Sequence, residues 1–513
     1  MTRLSSTIAL RALYVSALLA PAVAAQQFGP VQFLATNQTN TQSVRSADLD
    51  GDGDRDVVCA SWQNDRVSWF ENLDGLGTFG PAKIVSSATD GARVVGVGDL
   101  DGDGDQDLVC CSDWDDKVRW FENLDGLGNF STPKLVSGVH APRSLDIVDL
   151  DGDQDLDLLV GSYFDNEVLW FDNTNGQGNF SAKKVISNQA KWCNAVRGAD
   201  VDGDGDMDVL SASQLDSKVA WYENVDGLGN FGAQLVISSN AAGARWVAAA
   251  DLDGDGDVDA LSASTVDTKV AWYENTDGSG AFGAEQILSL NNAGPRVVEP
   301  ADVDGDGDLD VLAGFYGDDL LAWFENTDGA ASFGPAQTIA TGLNGIHGLE
   351  VADIDGDNDL DVTVATWLGS EIAWVKNGPA GLVGTPASIS VASGGTQALS
   401  LNAGSAFAGL PYLVLGSWSG TSPGTPLDGQ LLPLNTDPYT NITLLTPNVA
   451  PLSGTFGTLD AAGAASASFS LPTGLSPGLA GLTLNHAYVV IELLPTLLQL
   501  VYISNPVPLD LVP

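Results

Sequence analysis

Between residues 27 and 378 the chain is a succession of short apolar-polar runs broken by clusters of Asp, Gly and Asn. In one stretch, Ala92 to Gly98, Asp107 to Ser112, Lys117 to Glu122 and Asn129 to Val136 each read as a strand. No run carries the 3.6-residue apolar stripe of an amphipathic helix. The pattern then repeats. The string Asp-x-Asp-Gly-Asp-x-Asp-x-Asp begins at Asp48, Asp99, Asp149, Asp200, Asp251, Asp302 and Asp353, with spacings of 51, 50, 51, 51, 51 and 51 residues. A Trp-aromatic-acid-Asn block follows six of the seven, starting at Trp69, Trp120, Trp170, Trp221, Trp272 and Trp323. The seventh keeps Trp374 and Asn377 but has Val375 and Lys376 between them.

Four short antiparallel strands in each repeat of about 50 residues are the signature of a β-propeller blade. An open stack of such units exposes two sheet edges, whereas a closed ring protects them. The phase of the repeat predicts how the ring closes. A Phe-Gly or Phe-Ser pair ends each of the first six units, yet Phe28-Gly29 precedes the first aspartate loop and the seventh unit lacks one. Phe28 to Ala35 therefore reads as the fourth strand of the last blade. The fold class expected is all-β: a seven-bladed β-propeller with calcium loops over 27–378, then a small β-sandwich-like domain over 379–513.

These units resemble FG-GAP/VCBS repeats, the family that builds the seven-bladed head of integrin α chains and occurs in many secreted bacterial proteins. The resemblance implies a propeller fold. It leaves function open, because the family includes adhesion modules, lectins and accessory domains of enzymes.

Alternating aspartates in a glycine-rich turn gather hard oxygens in one small concavity, which suits Ca²⁺. The first loop offers Asp48, Asp50, Asp52, Asp54 and Asp56, and the second Asp99, Asp101, Asp103, Asp105 and Asp107. The third offers Asp149, Asp151, Asp153, Asp155 and Asp157, and the fourth Asp200, Asp202, Asp204, Asp206 and Asp208. Next come Asp251, Asp253, Asp255, Asp257 and Asp259, then Asp302, Asp304, Asp306, Asp308 and Asp310. The seventh has Asp353, Asp355, Asp357, Asp359 and Asp361. The resemblance implies that the seventh position of each loop ligates through its carbonyl and the other four through side chains, giving up to seven structural calcium ions. Glycine supplies the left-handed turn in five loops; the third has Gln154 there and the seventh Asn358. An EF-hand is excluded, because its twelfth position needs a bidentate Glu and here holds Cys59, Cys110, Val160, Ser211, Ser262, Ala313 or Val364.

Six residues before each loop stand Gln42, Arg93, Arg143, Asn194, Arg245, Arg296 and His347. Four arginines and a histidine at one repeat position form a ring at the end of the strand away from the aspartates. Trp62, Trp114, Trp192 and Trp246 are expected beside it, the last two from the connections between units. Two readings stand: the arginines pair with local carboxylates, or they form a recognition surface for an anionic ligand.

Composition narrows the functions. Against 67 Asp and Glu there are 20 Lys and Arg, a formal charge of −47, which argues against a nucleic-acid binder and against a polybasic membrane-surface protein. Residues 1–25 read as a secretory signal, with Arg3 and Arg11, an apolar centre and a small-residue end at Ala22 to Ala25. No later segment is long and apolar enough to span a membrane. The four cysteines read as small buried strand residues rather than a disulfide framework. From Ala380 there is no Lys or Arg, and short apolar runs alternate with Pro/Gly/Ser/Thr turns, the spacing of a small sandwich. The stretch Leu413 to Gly424 resembles the end domain of other exported bacterial repeat proteins.

The three histidines, His140, His347 and His486, share no repeat position, and no nucleophile elbow or zinc helix is present. The reading is a secreted or cell-surface, monomeric, non-enzymatic binding or adhesion module for a protein or glycan ligand of acidic character. An extracellular carbohydrate-active enzyme or its accessory subunit, and a purely architectural surface protein, are the alternatives.

Overall fold

The computed structural model describes residues 28–513, apart from 291, 358, 379–381, 387, 404–406, 422–423, 428–429, 461–462, 494–497 and 505. The signal-peptide reading of 1–25 and the turn residue Asn358 lie outside the described residues. Contacts divide the described chain into two units, Phe28–Asn377 and Gly378–Pro513.

The first unit is all strand: seven sheets of four antiparallel strands each. The second sheet runs Ala92–Gly98, Asp107–Ser112, Lys117–Phe121 and Lys134–Gly138. Its first three strands fall where the alternation places them. The fourth begins five residues later than expected, because Phe130 makes an isolated bridge to Asn123 and the intervening Pro133 has no donor for a ladder. Every residue of the second strand is buried in all seven sheets, as a strand covered on both faces must be. Fourth strands are half exposed; in Lys184–Ser187, Val185 is largely open to solvent.

Apolar clusters span neighbouring sheets. Val58, Val67 and Trp69 of the first sheet pack with Val95, Leu108 and Phe121 of the second. Val44, Val57 and Phe70 of the first pack in the same way with Ala365, Ile372 and Trp374 of the last. The last sheet is completed by the chain's own beginning: Gln32–Ala35 pairs antiparallel with Ile372–Val375, and Gly29 N donates to Lys376 O at 2.8 Å. This strand is shorter than the Phe28 to Ala35 expected, but its place is as the repeat phase predicts. All four cysteines are buried and unbridged.

The second unit holds a four-stranded sheet that includes Gly395–Asn402 and Ala464–Leu471. A larger sheet is built on Pro411–Ser417 and Thr483–Leu493. Leu399 and Leu401 of one share a core with Tyr412, Val414, Tyr488 and Val490 of the other. An α-helix, Pro438–Leu445, was not anticipated. Its signal is nonetheless local: Asp437 caps it, accepting from Tyr439 N and Thr440 N at 2.7 and 3.0 Å, and Pro438 follows at the first helical position. Among the described residues no helix is long and apolar enough to cross a membrane.

Candidate functional site

Each aspartate loop connects the first strand of a sheet to the second, and its backbone is folded by its own carboxylates. In the first loop Asp48 accepts Gly51 N at 2.7 Å and Gly53 N at 3.0 Å, while Asp52 accepts Asp54 N at 3.0 Å. The ninth residue, Asp56, is buried and takes Leu49 N and Asn72 N on its two oxygens at 3.0 and 2.9 Å. The Asp54 carboxylate turns away against Gly75, where a β-carbon would lie 2.3 Å from its Oδ1. Gly53, with φ of 96°, makes the turn; in the third loop Gln154 is forced to the same side at 74°.

Carboxylate oxygens converge within 4.8 Å in the sets Asp48/Asp50/Asp56, Asp99/Asp101/Asp107, Asp149/Asp151/Asp157, Asp200/Asp202/Asp208 and Asp251/Asp253/Asp255. These sets can hold a metal ion. The donors fit a hard cation, and an oxygen in several loops is shielded from solvent without a partner: Asp50 Oδ1, Asp101 Oδ1, Asp151 Oδ1, Asp200 Oδ1 and Asp304 Oδ2. Burial pushes Asp107 up to about 7, against the two backbone N–H groups it accepts. Burial and then Asp103 and Glu122 push Asp101 up to about 6. Such crowding disfavours charge until a cation is added.

Glu122 belongs to a position absent from the sequence-level ligand set. Glu71, Glu122, Asp172, Glu223, Glu274 and Glu325, the acids after the Trp-aromatic pairs, each bear electrostatically on the third residue of their loop. Their shared repeat position was the available signal. The seventh loop differs. Lys376 stands at that position, and its ammonium pairs with Asp355 and with Asp357, the latter at 2.7 Å. The seventh concavity therefore holds an ammonium where each of the other six has a further carboxylate.

The ring at the opposite end of the first strands is assembled as the repeat position predicts. Gln42, Arg93, Arg143, Asn194, Arg245, Arg296 and His347 line one cavity. From Arg93 to Asp99 is six residues of strand, about 20 Å, so the ring and the loops are separate sites. Arg93 is buried and pairs with Asp113 at 3.3 Å. Among the described residues no carboxylate lies within ion-pair distance of Arg143, Arg245 or Arg296. Instead the Arg143 and Arg296 guanidinium carbons lie 3.4 and 3.7 Å from the ring centres of Tyr163 and Tyr316. Burial, then Arg143 and Arg245, lower Arg93 to about 9; burial, then Arg296 and Arg143, lower Arg245 to about 9. Both remain cationic at neutral pH.

The aromatic residues are placed less uniformly. Trp62 stands 4.2 Å from Trp114 and 5.1 Å from Trp367 between ring centres, and Trp62 Nε1 donates to Asp113, the partner of Arg93. Trp192 stacks on Tyr163 at 5.2 Å. Trp246, expected in a connection, lies within the strand Ala244–Ala250 and lines the cavity itself, with Arg197 5.0 Å from its ring. Three residues further along the strands, Arg45 meets Glu350 at 3.3 Å and Arg197 meets Glu299 at 3.1 Å; this layer of ion pairs was not anticipated.

Repeated four-stranded sheets, each carrying an acidic metal-compatible loop, define a repeat protein of the β-propeller class. The FG-GAP-like repeat matches residues 48–110, 99–160, 149–211, 200–262, 251–313 and 302–364. The chain belongs to the FG-GAP-like repeat family. No curated protein matches it in sequence. Similar solved structures include BBS1N in complex with ARL6DN, soaked with lead, at 11% identity and TM-score 0.47 over 69% of this chain and 96% of that one. A mercury-soaked crystal of the same complex gives 12% and 0.48, again over 69% and 96%. A functionally unknown protein from Desulfotomaculum acetoxidans DSM 771 gives 12% and 0.41, over 61% of this chain and 90% of that one.

Proposed function

We propose that this protein is an exported binding module in which calcium loops stiffen a closed seven-bladed propeller and the arginine ring receives an acidic group. In this reading the C-terminal unit is a β-sandwich, the molecule is a monomer, and it acts by binding rather than turnover. The ligand is a protein or glycan carrying carboxylate or sulfate.

One observation carries the reading. Arg93 Nε, Arg143 Nε, Trp246 Nε1, His347 Nε2 and the side-chain amide of Gln42 are all shielded from solvent without a hydrogen-bond partner, and all line one cavity. Buried polar atoms are ordinarily satisfied. Most of this set are donors, so the missing partner is an acceptor, and the guanidinium groups lacking carboxylates make it an anion. Calcium, held by the loop aspartates, would supply charge neutralisation and cross-linking of each first-to-second strand turn. The ring would supply recognition.

The test is a glycan array with uronic and sulfated oligosaccharides beside an acidic-peptide array. Binding should be abolished in Arg143→Ala/Arg245→Ala while calcium-dependent melting persists. Binding that survives both substitutions overturns the assignment of the ring. Release of product from the bound oligosaccharide would favour an enzyme.

A further inference from the structure

We infer that the seventh loop takes no metal, and that Lys376 is its built-in cation, so that the sheet joining the two ends of the propeller chain closes independently of calcium. In the other six units the corresponding residue is an acid, Glu71 in the first and Glu325 in the sixth, which adds negative charge beside the loop's third aspartate. Here an ammonium lies among the aspartates instead, bonded to Asp355 and, at 2.7 Å, to Asp357. A divalent cation entering that space would have to displace the lysine or bear its repulsion at contact distance. Asp355 Oδ1 keeps no partner, as its counterparts Asp50 Oδ1 and Asp101 Oδ1 keep none; what sets this loop apart is the ammonium held by Asp355 and Asp357.

The position of the exchange matters. This is the sheet completed by Gln32–Ala35, and the Lys376 carbonyl accepts Gly29 N, the first bond of that seam. One residue thus holds the N-terminal segment with its backbone and the loop with its side chain. Depletion of calcium relaxes six loops and leaves the seam's own loop with its ammonium in place.

The experiment counts calcium on the full chain by native mass spectrometry after chelation and reloading, comparing the wild type with Lys376→Glu, which restores the acid of the other units. The substitution should add one ion, six becoming seven. An unchanged count, or seven ions on the wild type, overturns the inference. Because Lys376→Glu can fail to fold without metal, Lys376→Gln is followed by hydrogen exchange in EGTA. The wild type should keep protection over 372–376 while the strands flanking the first six loops lose it. Equal loss at the seam in the wild type overturns the inference, as does full retention in Lys376→Gln. The inference rests on the calcium part of the proposed function, and because neither readout involves the arginine ring, failure of the ring's role in recognition leaves it untouched.

Discussion

Gly77 lies directly beneath the indole of Trp374: a β-carbon on Gly77 would come within 2.3 Å of Trp374 Cζ2. The contact joins the first unit to the seventh and recurs between Gly128 and Trp69, Gly178 and Trp120, Gly229 and Trp170, and Gly280 and Trp221. These glycines also hold positive φ, 71° at Gly128. A methyl group there meets both a left-handed backbone and a rigid ring. Gly128→Ala should cost about 2–4 kcal/mol from overpacking plus backbone strain, read as a lowered denaturation midpoint. The sixth unit supplies the reverse experiment. Ala331 stands at this position with φ of 55° and packs in the cluster of Trp272. Ala331→Gly should leave stability unchanged or raise it by about 1 kcal/mol; a loss comparable to that of Gly128→Ala would contradict the contact.

Calcium removal should destabilise the propeller unit. A ligand that binds the native state alone contributes about 2.7 kcal/mol per site at a hundredfold excess over Kd. Calorimetry in EGTA should show a lower Tm that Ca²⁺ restores. An identical thermogram after verified metal removal would rule out a stabilising role for the loops.

The third loop should be the weakest of the first six. Gln154 holds φ of 74°, a conformation that costs an ordinary residue about 1–2 kcal/mol and glycine little. Gln154→Gly should raise stability by about 0.5–1 kcal/mol after the added freedom of the unfolded chain is counted. Calcium titration should also show one tightened site. No change in either measurement would place the strain elsewhere.

The C-terminal unit should weaken in acid through His486. The imidazole is fully buried, with Nε2 2.8 Å from the Tyr439 hydroxyl, and burial lowers it to about 4. The unfolded chain binds its proton near 6.5 while the folded chain does not. Stability contributed by the neutral imidazole is therefore complete above pH 6.5 and lost as pH falls from 6.5 toward 4, by about 3 kcal/mol in all. Chemical denaturation at several pH values should show this slope for the transition of the C-terminal unit. His486→Gln should flatten it; a variant with the wild-type slope would assign the acid sensitivity to other groups.

The contents of the aspartate loops and of the ring were legible because a repeat makes each position visible seven times. Arg93, Arg143, Arg245 and Arg296 needed no structure to be grouped, and strand direction alone sent them to the end away from the aspartates. The acids Glu71 to Glu325 carried the same periodic signal, but their bearing on the loop depends on how the end of the third strand folds back onto it. Asp113, the partner of Arg93, occupies a position whose residue varies from unit to unit, so periodicity could not mark it. The helix Pro438–Leu445 was hidden by its shortness, eight residues being too few to show an apolar stripe.

The sequence by itself determined the strand order, the repeat length, the loop chemistry and the borrowed strand at the chain's start. Each of these follows from local alternation and from spacing along the chain. Tertiary structure alone decided which charges are answered. Pairing in space sets Lys376 against Asp355 and Asp357, gives Arg93 a carboxylate in Asp113, and leaves Arg143, Arg245 and Arg296 facing one cavity without carboxylates. A charge's energy depends on its neighbours within a few ångströms and on the water it has lost. Neither quantity is written in the order of residues.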